Sequence, residues 1–282
     1  GRAMTIDMST TRTDLALESV QAARSGAEAG TISGVRSRER TREGYAVTDI
    51  RVEDEDGAQA LGKPVGRYVT VDLGPYFRRE ADYFDRGVRC LAGELAALLP
   101  EGPVLAAGLG NRAMTCDAVG PASIDNLLVT RHMIRAMPRQ FADFRPVAAV
   151  CPGVLARTGL EALELVRGAV ERVRPAAVIA VDALAARDSA RLCATVQLSD
   201  TGLVPGSGVG NRRSALDRGT LGVPVIAVGI PTVVDADPRA GLFLTPRDID
   251  QRIRELGRLL GYGITLALQP SLTAADVTAL LG

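Results

Sequence analysis

The apolar and polar positions follow two different patterns along the chain. Apolar and polar residues alternate over 45–54 and again over 67–74, a period of two that is typical of half-buried β-strands. Glycines and a proline lie between these segments, so we predict an antiparallel pair joined by a turn-rich connection. Later strand candidates are apolar on both faces, as buried parallel strands are. These runs are residues 103–110, 146–153, 175–183 and 223–234.

Helical segments separate the apolar runs. Residues 159–173 carry apolar side chains at the spacing that places them on one face of a helix. Thr245 and Pro246 are typical of an N-cap and a first helical residue, so the last helix is predicted to begin there. The helices are predicted at about 79–99, 121–136, 159–173 and 246–262.

The alternation of strand and helix predicts an α/β fold with a doubly wound, mostly parallel sheet and a small antiparallel β addition near the N-terminus. Residues 1–44 are polar and show weak apolar periodicity, so we expect a flexible N-terminal arm. Residues 45–282 are predicted to form a single domain.

Three aspartates follow strand candidates. Asp182 ends the third apolar run, Asp117 lies in the loop after the first, and Asp200 follows an apparent strand at 194–198. Ligands of doubly wound sheets bind beyond the carboxyl ends of the strands. We therefore expect these three carboxylates at one edge of the sheet.

Charge and composition narrow the classes of partner. The chain has 33 basic and 33 acidic residues among 282, which gives no general support for binding nucleic acid or an anionic membrane, and we expect neither. No apolar run reaches the roughly 18 residues of a membrane span, and no signal segment is recognisable. The four cysteines form no CxxC pair. We expect a reduced, cytoplasmic protein without disulfides.

Asp117 and Asp182 are the leading candidates for chemistry. Partial loss of water at the end of an apolar strand raises the pKa of a carboxyl group, and two neighbouring carboxyls can share one proton. One of them then activates a water molecule while the other donates to a substrate carbonyl. The alternative is structural, with Asp182 capping a helix and Asp117 bracing its loop. The residue pattern alone slightly favours the structural interpretation.

Other residue types give weaker signals. His132 is the only histidine and lies in a helical segment, so a structural role is favoured over a general base, and a histidine-rich zinc site is excluded. We predict no metal and no cofactor, although carboxylates holding a cation stay an alternative. Cys116 has no predictable histidine beside it to make it a nucleophile. The 206-GSGVGN-211 stretch lacks the Lys-Ser/Thr of a P-loop and is interpreted as a tight turn.

Several long motifs resemble the spore germination protease family. They include 108-GLGNRAMTCDAVGP-121, 178-VIAVDALAAR-187 and 221-LGVPVIAVGIPTVVDA-236. Near the start, 12-RTDLALE-18 resembles the family's processing site, and the resemblance extends in order over nearly all of residues 12–273. Motifs of this length in the same order are very specific.

The resemblance implies a fold, an activity and a substrate. The family's core is similar to that of hydrogenase-maturation peptidases, and its mechanism is usually assigned as aspartic. Its members degrade small acid-soluble spore proteins in the spore core during germination. They are made as zymogens that remove their own N-terminal peptide, and they are typically homotetramers.

The same resemblance implies roles for particular residues. The essential aspartates fall on Asp117 and Asp182. The self-processing bond falls between Asp14 and Leu15, which makes residues 1–14 a propeptide. These implications favour catalysis over the structural interpretation of the two aspartates.

Supporting roles are assigned from the chemistry of cleavage after an acidic residue. Backbone amides of the loop that ends at Asn111 are candidates for stabilising the oxyanion. Arg187 or Arg131 is expected to hold the acidic side chain of the substrate through charge-assisted hydrogen bonds. Lower-ranked supporting candidates are His132, Asp200 and Asp235.

Two alternatives stay open. One is a metal-dependent peptidase in which the same two aspartates hold a hydrated cation. The other is a non-catalytic member of the family that binds protein segments, because the segment between Asp235 and Thr245 is shorter than the family usually has.

Overall fold

A single nine-stranded sheet forms the centre of the part of the chain that the structure describes. The structure is a computed structural model and describes residues 12–25, 32–206, 213–237 and 241–282. The strands are β1 (Val35–Arg42), β2 (Tyr45–Val52), β3 (Gly66–Asp72), β4 (Val104–Leu109), β5 (Val147–Gly153), β6 (Ala177–Ala186), β7 (Thr195–Ser199), β8 (Val225–Asp237) and β9 (Leu242–Leu244).

The strand order is β1-β2-β3-β7-β8-β6-β4-β5, and β9 pairs with β8. Strands β8, β6, β4 and β5 are parallel, as the apolar runs predicted. The predicted hairpin is confirmed as β2 and β3, but β3 also pairs with β7, so the hairpin continues the main sheet. The chain runs from β4 outward to β5 and then returns to β6 on the other side of β4. The sheet therefore has a switch point between β4 and β6, where ligands of such folds bind.

Helices cover both faces of the sheet, which confirms the doubly wound α/β class. One face packs on α4, α5 and α10, and the other packs on α8 beside β4 and on α1 beside β2. The helices are α1 (Ala16–Ser25), α2 (Glu55–Leu61), α3 (Gly74–Phe77), α4 (Tyr83–Ala96), α5 (Val119–Asp125), α6 (Arg131–Ala136), α7 (Leu155–Thr158), α8 (Ala162–Val173), α9 (Arg218–Leu221), α10 (Ile249–Leu268) and α11 (Ala274–Leu281).

Two predicted helices differ from those in the structure. The helix expected at 121–136 is divided into α5 and α6, because Thr130 is held at the start of β5: its hydroxyl donates to the Arg145 carbonyl and accepts from the Val147 amide. The helix predicted as the last begins at Ile249 rather than at Pro246, and a further helix, α11, follows it. Thr245 does not cap α10, since its hydroxyl donates to the Thr232 carbonyl of β8 at 2.9 Å.

The segment predicted as a flexible arm contains regular structure. Strand β1 lies within residues 1–44 and forms an edge of the sheet, and its largely exposed side chains explain the missing alternation. Arg40 and Arg42 of β1 pair with Glu94 of α4, whose side chain is buried, and so fix this edge to the helix layer. None of the helices within the described ranges is long and apolar enough to cross a membrane.

Candidate active site

Asp117 lies in a tight return of the chain after β4. Gly110 ends that strand with φ of 107°, and a Cβ atom there would lie 2.0 Å from the Asp117 carbonyl oxygen. The Asn111 amide donates to the Asp117 carbonyl at 3.0 Å and to its Oδ2 at 2.9 Å. A residue without a side chain at position 110 is therefore required for Asp117 to return to the carboxyl end of β4.

Asp182 lies inside the sheet, in β6, and only 2% of it is exposed. Its Oδ1 accepts from the Ala183 amide at 2.9 Å, and the nearby Gly206 backbone acts to lower the pKa of the carboxyl group. Neighbouring positions of β6 pack into the apolar core on the opposite face. The carboxyl group is thus held by a backbone donor and largely removed from water.

The two carboxyl groups differ in their affinity for a proton. Burial raises the pKa of Asp182 well above its ordinary value, and the nearby charge of Asp117 raises it further. Burial also raises the pKa of Asp117, to about 6, against the opposing effect of the Asn111 amide. As the pH rises, Asp117 therefore ionises first and Asp182 keeps its proton longer, which is the order that an acid and base pair requires.

A small cavity lies beside Asp117. Its volume of about 10 Å³ is close to the minimum that holds one water molecule. Its lining combines the turn after β4 with the ends of β6 and β8, namely Cys116, Asp117, Ala183, Leu184, Gly206, Thr232 and Val233.

The N-terminal segment lies across the same face of the sheet. The Asp14 amide donates to the Ala185 carbonyl at 2.9 Å, and the Ala185 amide donates to Asp14 Oδ2 at 2.8 Å. Leu15 is 2% exposed and packs against Leu184 and Ala186 of β6. The predicted processing bond between Asp14 and Leu15 therefore lies a few residues along β6 from Asp182.

Two side chains that the sequence did not single out hold this segment. Gln197 of β7 donates from Nε2 to the Asp14 carbonyl at 3.1 Å and accepts from the Ala16 amide at 2.8 Å. Lys63 donates from Nζ to the Thr13 carbonyl at 3.0 Å, and the charge of Asp14 partly offsets the effect of burial, which lowers the Lys63 pKa. Lys63 lies in 61-LGKPVGRYVTVDL-73, a further segment that resembles the family, and that resemblance could have drawn attention to Lys63.

Glu18 of α1 fixes the other end of the segment. Its carboxylate accepts from the Arg187 amide at 2.7 Å, from the Asp188 amide at 2.9 Å and from the Thr13 hydroxyl. Arg187 thus contacts the segment through its backbone. Within the described ranges, the Asp14 carboxylate accepts from the Ala185 amide, lies 3.9 Å from the Arg12 guanidinium and interacts with the charge of Lys63.

Asp200 is not at the edge that holds Asp117 and Asp182. Strand β7 is antiparallel to β8, so its carboxyl end points away from the carboxyl ends of the parallel strands. Asp200 is exposed and accepts from the Arg67 amide at 2.8 Å. The expected meeting of three aspartates is therefore wrong, because the apparent strand at 194–198 runs in the opposite direction.

Other predicted residues lie outside the contacts that hold the segment. His132 and Arg131 are in α6, where the His132 side chain is exposed, and Asp235 is in β8 opposite Phe243 of β9. The Asn111 amide is already bound to Asp117, which argues against its donating to an oxyanion.

Cys116 does not have the environment of a nucleophile. Burial and the charge of Asp117 raise the pKa of its thiol, which opposes the thiolate form. No group of three or more His, Cys, Asp or Glu side chains suited to a metal ion occurs in the described ranges. Residues 207–211 of the glycine-rich stretch and residues 1–11 of the predicted propeptide lie outside those ranges.

The sequence profile of the germination protease family matches residues 12–240, which include both aspartates and the processing segment. The chain belongs to this family. Membership makes it a peptidase, and the same range covers the motifs at 12–18, 108–121, 178–187 and 221–236.

Similar proteins cover nearly the whole chain. A germination protease of Caldanaerobacter subterraneus subsp. tengcongensis is 40% identical over 96% of this chain and 98% of its own length. One from Clostridium perfringens is 36% identical with the same coverage. One from Bacillus cytotoxicus is 40% identical over 94% of this chain and 76% of its own length.

Among solved structures, the chain is similar to the [NiFe] hydrogenase maturation protease HycI from Thermococcus kodakarensis KOD1. The TM-score is 0.39 at 18% identity, covering 62% of this chain and 99% of that one. A TM-score at this level is too low to carry a conclusion about mechanism.

Proposed function

We propose that this chain is an endopeptidase that degrades small acid-soluble spore proteins in the spore core during germination. We propose further that it is a self-processing zymogen in which residues 1–14 are removed. The observation that carries the proposal is the position of the Asp14–Leu15 bond, which lies against β6 a few residues along the strand from the buried Asp182. A chain that holds its own acidic-then-aliphatic segment there uses the same site for its substrates.

The environment of the two aspartates supports an aspartic mechanism. Asp117, with its pKa of about 6, takes a proton from water, whose oxygen bonds to the carbonyl carbon, while Asp182 gives its proton to the carbonyl oxygen. The resulting diol collapses as the carbon–nitrogen bond breaks. The leaving nitrogen takes the proton from Asp117, and one hydroxyl returns a proton to Asp182. Both carboxyl groups end in their starting states.

The contacts of Asp14 support cleavage after acidic residues. Its carboxylate accepts from the Ala185 amide, and the positive charge of Lys63 lies close enough to interact with it. An amide donor and a cation together favour a negatively charged side chain over a neutral one. A substrate residue of the same type would meet the same two groups.

Replacement of either aspartate tests the mechanism. We expect Asp117→Asn and Asp182→Asn each to slow cleavage of a small acid-soluble spore protein by at least about 10²-fold, because each removes one proton-transfer group. Mass spectrometry of the full chain should show a new N-terminus at Leu15 in the wild type and an intact chain in both variants. Near wild-type cleavage by either variant would refute the pair.

Two further measurements separate the alternatives. Activity that a chelator removes and a divalent ion restores would indicate that the aspartates hold a metal instead. A wild-type chain that cuts neither itself nor the substrate would indicate a binding protein. We also propose a homotetramer, which sedimentation analysis of the purified protein tests directly.

A further inference from the structure

The sheet aligns Gln197 with Asp182. Gly229 of β8 is in register with Asp182 of β6 on one side and with Gln197 of β7 on the other. Residues in register on paired strands point to the same face, so the two side chains face the same way, two strand spacings or about 10 Å apart. Gly229 places no side chain between them.

The processing segment occupies this face between the two residues. Asp14 is hydrogen-bonded to Ala185 of β6 at one side and, through its carbonyl, to Gln197 of β7 at the other. The Leu184 side chain fills the space above Gly229, since a Cβ atom there would lie 2.4 Å from it. Leu184 in turn packs against Leu15. The peptide bond is thus held next to Leu184, whose side chain lies over Gly229 in the row that contains the buried aspartate.

Gln197 contacts the backbone on both sides of that bond. Its Nε2 donates to the carbonyl of Asp14, the residue before the bond, and its Oε1 accepts the amide of Ala16, the second residue after it. Gln197 is 8% exposed, so this pair of hydrogen bonds is formed largely out of water. Because both contacts are to backbone atoms, they do not depend on the side chains of the bound segment.

We propose that Gln197 is the residue that binds and orients the peptide bond to be cut, in the chain's own N-terminal segment and in substrates. This inference rests on the proposed function. The Nε2 group donates to the oxygen on which negative charge develops when water attacks, and a fixed donor there stabilises the transition state more than the bound peptide. The Oε1 group sets the register of the segment, so that the bond after Asp14 is presented to the aspartates.

Two substitutions separate the two hydrogen bonds. Gln197→Met removes both, whereas Gln197→Glu keeps an acceptor for the Ala16 amide and removes the donor to the Asp14 carbonyl. We expect both variants of the full chain to cut the Asp14–Leu15 bond at least about 10²-fold more slowly than the wild type. Gln251→Met is a matched control, because Gln251 is exposed on α10 and contacts only Glu255 in the described contacts.

Hydrogen exchange gives a readout that does not require cleavage. In an Asp182→Asn background, which keeps the segment attached, the Ala16 amide should lose protection with Gln197→Met and keep it with Gln197→Glu. Unchanged Ala16 protection in Gln197→Met, or cutting by Gln197→Glu within a few-fold of wild type, would overturn the inference.

Failure of the proposed function has a different signature. The wild-type chain would then cut neither its own N-terminus nor a small acid-soluble spore protein, while Gln197→Met would still release the Ala16 amide. An intact function with a wrong inference gives the reverse, namely cleavage by the wild type and by both Gln197 variants at similar rates.

Discussion

At the scale of single residues, the burial of each carboxyl group determines how readily it holds a proton. Asp182 is inside a strand with 2% of its surface exposed, and Asp117 is half-buried in a turn with the Asn111 amide beside it. Burial raises both pKa values, but the amide and the greater exposure leave that of Asp117 lower. Two residues of one chemical type therefore differ in the way that the proposed acid and base require.

This difference predicts how activity depends on pH. Cleavage needs Asp117 ionised and Asp182 protonated, so the rate should fall below about pH 6 as Asp117 takes up a proton, and fall again at higher pH when Asp182 loses its own. A profile of kcat/KM against pH for a peptide substrate measures both limits. Full activity at about pH 4 would contradict Asp117 as the base.

The buried acid also predicts how stability depends on pH. The folded-state pKa of Asp182 is raised, so its contribution to the free energy of unfolding is complete below the unfolded value of about 4 and is lost as pH rises through the folded value. Asp182→Asn should therefore gain stability relative to wild type as the pH rises from about 4 towards the raised folded-state pKa of Asp182. Urea denaturation measures this, with Asp143→Asn as an exposed control. A difference independent of pH would contradict a protonated Asp182.

At the scale of elements, the turn after β4 sets the position of the base. The return of the chain at Gly110 brings the Asp117 carbonyl within 2.0 Å of where a Cβ atom would lie. Gly159, after α7, has a similar positive φ of 73° but nothing within 4 Å of such an atom. The two glycines share a left-handed backbone and differ in what surrounds them.

These two glycines form a matched pair for mutagenesis. Gly159→Ala should cost about 1 kcal/mol of stability and leave cleavage unchanged, since only backbone strain is added. Gly110→Ala adds a steric overlap to that strain and should cost more than about 2 kcal/mol and displace Asp117, with a large loss of activity. Thermal unfolding and cleavage rates of both variants check this. Equal effects of the two substitutions would show that the close approach is unimportant.

At the scale of the whole molecule, the N-terminal segment joins elements that are distant in sequence. It contacts β6 through Ala185, β7 through Gln197 and the segment after α2 through Lys63. All of these contacts are made within one chain. The bond after Asp14, where processing is proposed, therefore lies against β6 and β7 of its own chain.

Self-processing should consequently be a first-order reaction. The rate constant for cutting after Asp14 is expected to be independent of protein concentration, and a chain carrying Asp182→Asn should stay intact when mixed with active protein over the same time. Mass spectrometry of a mixture at several concentrations distinguishes the two chains. Faster processing at higher concentration would indicate cutting between molecules.

Much of the fold could be predicted because buried residues are apolar and recur along the sequence at the spacing of a strand or a helix. The apolar runs located β4, β5, β6 and β8, and the alternating runs located β2 and β3. Strand β1 was not predicted, because an edge strand with mostly exposed, ion-paired side chains needs no alternation of apolar and polar residues. No pattern of apolar residues shows whether β7 runs parallel or antiparallel to its neighbours, so Asp200 was assigned to the wrong edge of the sheet.

The sequence by itself determined the family and the α/β class and made the two aspartates the leading candidates, because long motifs and apolar runs are local properties of the chain. Only the tertiary structure decided what surrounds those residues. It buries Asp182 and places the Asn111 amide against the Asp117 carboxylate. It also brings Gln197 and Lys63 into hydrogen-bonding contact with the N-terminal segment. Strand direction, register and long-range hydrogen bonds join positions more than a hundred residues apart, and no local pattern encodes them.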